Sequence, residues 1–123
     1  MINKFDELKV FQKSHAFNLK VYNLAKNFPS EEKFRLIDQI CRSTSSVPAN
    51  IVEGNSRKTT NEFIQFLYQA KGSLSETQYH LLLAKDLKII DIKIFDELIS
   101  ESDEIAKMIS GLISYLKSKS STN

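Results

Sequence analysis

The chain is poor in the residues that make turns. Its 123 positions hold three Gly and two Pro, too few for the many reversals of a sheet protein, which favours a few long helices. It has one cysteine, Cys41, and this excludes an intrachain disulfide and a cysteine-built zinc site. No apolar run approaches the roughly 20 residues that cross a bilayer. The opening residues, Met1-Ile-Asn-Lys-Phe-Asp-Glu7, place acids where a signal peptide carries its apolar run. These absences predict a cytoplasmic protein kept in a reducing compartment. The length predicts a single domain over residues 1–123, large enough to bury one core without staples.

Charge is nearly balanced overall, at a net +2, but it is not evenly spread. Residues 1–58 hold ten Lys/Arg against six Asp/Glu, and residues 91–123 hold four against six. A balance this small does not by itself argue for nucleic acid. It does place the basic character in the first half.

Apolar spacing then divides the chain into four helices, over about 9–27, 31–55, 60–88 and 92–117. Val10, Ser14, Phe17, Val21, Leu24 and Phe28 follow the three-and-four step of a buried stripe in the first. Phe28-Pro29-Ser30 stops it, because the residue before proline disfavours helix. In the second, Ile37, Ile40, Cys41, Thr44, Val47, Ile51 and Val52 keep one phase on both sides of Pro48. That predicts a single helix kinked at Pro48 and not two helices. The proline leaves the Thr44 carbonyl without its donor, and the hydroxyls at 43–46 are candidates to relieve that turn. Gly54-Asn55 offers residues suited to a left-handed helix end.

Thr59-Thr60-Asn61-Glu62 reads as a capping box before the third helix. Its stripe is Phe63, Phe66, Leu67, Ala70, Leu74, Thr77, Leu81 and Ala84. Asp91 caps the fourth, whose Ile92, Phe95, Ile99, Ser102, Ala106, Ile109, Ile113 and Leu116 are widened by Leu98, Ile105 and Leu112. The polar tail from Lys117 is expected to fray. Four such helices with short links predict an all-α, up-down-up-down antiparallel four-helix bundle.

Two polar lines stand out at about 100° per residue. Gln39, Arg42, Ser46, Asn50, Glu53 and Arg57 share one arc of the second helix, predicted to face away from the core. Ser, Asn, Gln and Arg are types that make fixed hydrogen bonds, which marks the arc as a contact surface. Glu62, Gln65, Gln69, Ser73, Glu76 and His80 form a similar line on the third. A further side of that helix carries Tyr68, Gly72, Tyr79 and Leu83. Gly72 in mid-helix suggests close approach of another backbone, so this side is the expected oligomer interface.

Catalytic patterns are missing. Glu76 and His80 are four apart where a di-metal bundle uses Glu-x-x-His twice, His15 is the other histidine, and Cys41 lies on the core stripe. The expectation is no enzyme, no metal and no cofactor. Lys9, Lys13 and Lys20 make one short basic line, and Arg42, Arg57 and Lys58 another. Repeated around a symmetric assembly, they would form a nucleic-acid footprint.

Several runs together resemble a known family. Leu8-Lys-Val-Phe-Gln-Lys13, Phe28-Pro-Ser-Glu31, Gln39-x-x-Arg42, Ser46-Val-Pro-Ala-Asn-Ile-Val-Glu-Gly54 and Phe63-x-x-Phe-Leu67 through Ala70-Lys-Gly-Ser-Leu-Ser-Glu76 are similar to the 23S rRNA intervening-sequence proteins. The likeness spans about residues 5–90, and Pro48–Gly54 is its most specific part. The family usually has tryptophan where Phe11 stands. The resemblance implies a helical bundle assembled as a ring-shaped homopentamer. It also implies kinship with retroelement accessory proteins that bind nucleic acid and a reverse transcriptase. The function expected is a non-enzymatic bundle associated with RNA or DNA; the alternative is a protein–protein scaffold.

Overall fold

The structure, a computed structural model, describes residues 4–121. Helices α1 (Lys9–Ala25), α2 (Asp38–Asn55), α3 (Thr60–Asp86) and α4 (Ile92–Ser121) account for most of them, with no strand among the described residues. Each helix packs on its neighbour in the chain, and α4 returns to α1. The core is built from all four: Phe17 and Val21, Ile40 and Ile51, Leu67, Leu74 and Leu81, Ile105 and Ile109 are fully buried.

The expected stripe of α1 is the buried one, with Ser14 included. Its hydroxyl donates to the Phe11 carbonyl at 3.0 Å, which satisfies a polar group in an apolar layer. After the turn at Phe28, the chain does not enter an α-helix at residue 31 as the spacing predicts. A 3₁₀ turn, Ser30–Glu32, is followed by a π turn, Lys33–Ile37, before α2 begins. A wide turn holds one residue more than an α turn and rotates the following phase. Leu36 consequently takes the buried place next to Ile40, and Ile37 is half-buried.

α2 continues unbroken through a buried Pro48. The neighbouring hydroxyls serve carbonyls one turn earlier than expected. Ser45 donates to Cys41 at 2.8 Å with the Arg42 carbonyl also within reach, and the Ser43 oxygen lies 3.2 Å from the Ile40 carbonyl. Gly54 also departs from expectation, because its φ is not positive. It is a packing glycine: a Cβ there would lie 2.8 Å from both Phe63 Cδ1 and Phe66 Cβ of α3.

Thr59 caps α3 as the sequence predicts, its hydroxyl oxygen accepting from the Glu62 amide at 3.1 Å. The same hydroxyl donates to the Glu62 carboxylate at 2.9 Å. At the far end, Lys88 takes the left-handed conformation (φ 63°), and the Ile89 amide reaches back to the Ala84 carbonyl at 2.8 Å. This is the geometry that usually selects glycine after a helix. Asp91 then accepts from the Ile94 amide at 2.8 Å and caps α4.

In α4 the stripe is rotated from the expected one. Leu98, Ser102, Ile105, Ile109 and Ile113 lie at its buried centre, Ile99 and Ala106 are half-buried flanks, and Ile92 is exposed. The helix runs past Lys117 to Ser121; Thr122 and Asn123, the last of the tail expected to fray, lie outside the described residues.

Candidate functional site

The most built feature is the seam between α2 and α3. Ser43 and Thr77 hydroxyls meet at 2.8 Å in the buried layer, and Thr77 also donates to the Ser73 carbonyl. One layer outward, Ser73 donates to Ser46 at 2.9 Å, and the Asn50 amide donates to the same Ser46 oxygen at 2.9 Å and to its carbonyl. At the end nearest the link, Arg57 lies 2.9 Å from Glu53 and 3.9 Å from Glu62, with its guanidinium 4.7 Å over the Phe66 ring. Each step up α2 is thus matched by a step back along α3. The two polar lines read separately from the sequence are the two sides of this one seam. The line on α2 was expected to face away from the chain's own core; instead Ser46 and Asn50 are half-buried and occupied within the chain, because the two helices approach closely over small side chains. Gln39, Arg42, Glu53 and Arg57 remain exposed, as do Gln65, Gln69 and Glu76 on the other side.

His80 ends the second line and is buried, at 8% exposure. Its Nε2 lies 3.4 Å from a Glu76 oxygen and its Nδ1 has no partner. It lines a cleft of roughly 490 Å³ with Gln39, Leu36, Leu83 and Leu87. Among the described residues no three His, Cys, Asp or Glu side chains are grouped to hold a metal. Cys41 is half-buried. Burial, and secondarily the nearby Asp38 carboxylate, push its thiol above the usual cysteine range, which favours the unreactive protonated form.

The six cations offered as a nucleic-acid footprint are all exposed but do not act together. Lys20 is paired with Glu101 of α4 at 2.8 Å, and Arg42 with Asp38 at 3.0 Å. Arg57 is held by its two glutamates. Lys13 and Lys20 border a groove that also contains Glu97, Glu101 and Glu104, so the α1 line faces acids. Lys9, Lys13 and Lys58 have no carboxylate within ion-pair distance among the described residues.

Sequence reasoning missed a different convergence. Arg57 and Lys58 from the α2–α3 link and Lys119 from the end of α4 border one opening of roughly 500 Å³, with Phe63, Leu112 and Leu116 also lining it. Nearby, Lys117 donates to the Tyr68 hydroxyl at 2.8 Å. The signal was present in Lys117 and Lys119, which were assigned to a fraying tail.

On the outer side of α3, Tyr68 and Tyr79 are 43% and 57% exposed. Gly72 has open space where a Cβ would stand, so nothing in the chain itself approaches it. Leu83, expected on this face, is half-buried against the core; the outward leucine is Leu82, 38% exposed.

The profile of the 23S rRNA-intervening sequence proteins matches residues 6–111, most of the chain. The chain belongs to that family. A solved structure agrees in fold and sequence: a protein with unknown function from the S23 ribosomal protein family of Bacteroides thetaiotaomicron. It is 32% identical, covers 85% of this chain and 97% of its own, and superposes with a TM-score of 0.79. No curated protein matches the chain. The Pro48–Gly54 run, inside the matched range, forms the second half of α2 and includes Asn50 and Gly54. In this member those two residues serve the α2–α3 seam. No helix among the described residues is long and apolar enough to cross a membrane.

Proposed function

We propose that the chain is a non-enzymatic, cytoplasmic helical-bundle protein that assembles with copies of itself and associates with RNA through the basic end of the bundle. The observation that carries the RNA reading is the convergence of Lys58 and Lys119 on one opening, beside an Arg57 held by Glu53 and Glu62. One protomer is thus a weak footprint, with Lys58 and Lys119 bordering the opening. A symmetric ring, such as the homopentamer the family resemblance implies, repeats it around an axis and makes a usable field.

Salt titration tests this directly. Phosphate contact predicts log affinity falling with log salt, by a slope of about −0.7 to −0.9 for each phosphate engaged. Absence of RNA and DNA binding at low salt would sink the reading.

A second reading is carried by a separate observation, the exposed aromatic outer side of α3 around an open Gly72. On it the protein is a scaffold whose contacts are with protein, beginning with its own copies. Light scattering separates the roles. Tyr79→Ser with Leu82→Glu is expected to lower the assembled mass while leaving the helical circular dichroism intact. Unchanged mass would exclude that face from the assembly.

A further inference from the structure

The opening at the basic end holds more than charge. Its floor is made of Phe63, Leu112 and Leu116, half-buried apolar side chains facing the cavity. Phe63 is held in place from behind by the close approach of Gly54. Tyr115 of α4 stands at the wall, 56% exposed, with Lys119 Nζ 5.4 Å from its ring centroid. Asn55 and Lys58 come from the α2–α3 junction. A surface that only attracts duplex phosphates has no use for an apolar recess. A recess that only completes the core has no use for an exposed aromatic ring and cations at its lip. A cavity of roughly 500 Å³ is of small-ligand size and does not admit a duplex.

We infer that this opening takes one unpaired nucleotide of a single-stranded RNA segment. The base lies against Tyr115 and the Phe63–Leu112–Leu116 floor, and the flanking phosphates are met by Lys58 and Lys119. Stacking on an aromatic face accepts any base, and cations contributed by two different elements suit a backbone that runs through the opening. A lone carboxylate head on an aliphatic tail would use only one of them. The Asn55 amide offers both a donor and an acceptor to a base edge. This rests on the RNA reading above and names the form of RNA that the site selects.

The test is fluorescence anisotropy on the full chain with a labelled 12-nucleotide single-stranded RNA and, in parallel, a blunt duplex of equal charge. Wild type is expected to prefer the single strand. Tyr115→Ser is expected to weaken the single strand by about five- to a hundredfold at an unchanged salt slope, the usual worth of one stacked base. Duplex binding should not move, and Tyr115→Phe should keep wild-type affinity. Lys58→Gln should reduce the salt slope by about 0.7. Tyr115 is exposed, and circular dichroism confirms that each variant is folded. If the single strand binds but Tyr115→Ser leaves it unchanged, or weakens the duplex equally, the nucleotide pocket is overturned and the RNA reading survives. If neither RNA binds, both fall. If decanoate binds in place of RNA and Tyr115→Ser abolishes it, the pocket belongs to an apolar acid and the inference is overturned.

Discussion

The α2–α3 and α1–α4 seams are held by different means. Along α2–α3 the contact residues contributed by α2 include small ones: Ser43, Ser46 and Gly54 meet Thr77, Ser73 and the Phe63–Phe66 pair. Their hydrogen bonds fix which residue stands opposite which. Between α1 and α4 the polar contact is a surface ion pair, Lys20–Glu101, with an open groove beside it. Apolar contacts reward burial and are nearly indifferent to a modest shift in register. Directional bonds and a missing side chain are not. The lesson is that in this bundle one seam specifies the arrangement and the other mainly adds burial.

The comparison breaks most visibly at the glycines. Gly54→Ala drives a Cβ to 2.8 Å from Phe63 and Phe66 and is expected to cost about 1–3 kcal/mol as overpacking. Gly72→Ala, in open space on α3, is expected to stabilise the lone chain by about 0.5–1 kcal/mol from helix propensity alone. Thermal melts of the two should move in opposite directions. Next in size is the buried hydroxyl pair. Ser43→Ala and Thr77→Val in a double-mutant cycle should show a coupling of about 0.5–1.5 kcal/mol, read from urea midpoints at constant slope. Smallest is the other seam. A Lys20→Ala, Glu101→Ala cycle should give about 0.2–1 kcal/mol, vanishing in molar salt. A coupling there equal to that of Ser43–Thr77 would erase the distinction drawn here.

Sequence periodicity found four helices and most of the core because burial of a stripe depends on spacing, which is visible in one dimension. The Thr59 and Asp91 caps were legible for a similar reason: each acts within one turn of itself. What escaped depends on partners far along the chain. Ser46 and Ser73 looked like two outward lines, since nothing local says that a polar arc meets another polar arc. Gly54 reads locally as a helix end, and only its packed neighbours, Phe63 and Phe66, show that it is the crowded glycine. Lys88 carried no signal for a left-handed turn, because the Ile89 bond to Ala84 holds it there despite its side chain. The π turn at Lys33–Ile37 shifts the helical phase by one residue, a change that a fixed period cannot register. At the basic end, Lys119 sits 61 residues from Lys58 in sequence, so their meeting is a property of the closed bundle.

The two seams also differ in when they can form. Ser43 and Thr77 are separated by 34 residues, and the pairs nearer the link by fewer, whereas Lys20 and Glu101 are separated by 81. Closing the shorter loops costs less entropy, and a growing chain has the whole α2–α3 hairpin in hand once residue 86 is made. α1 must wait for α4. During synthesis the apolar stripe of α1 therefore has α2 to lie against before α4 arrives to cover its other side.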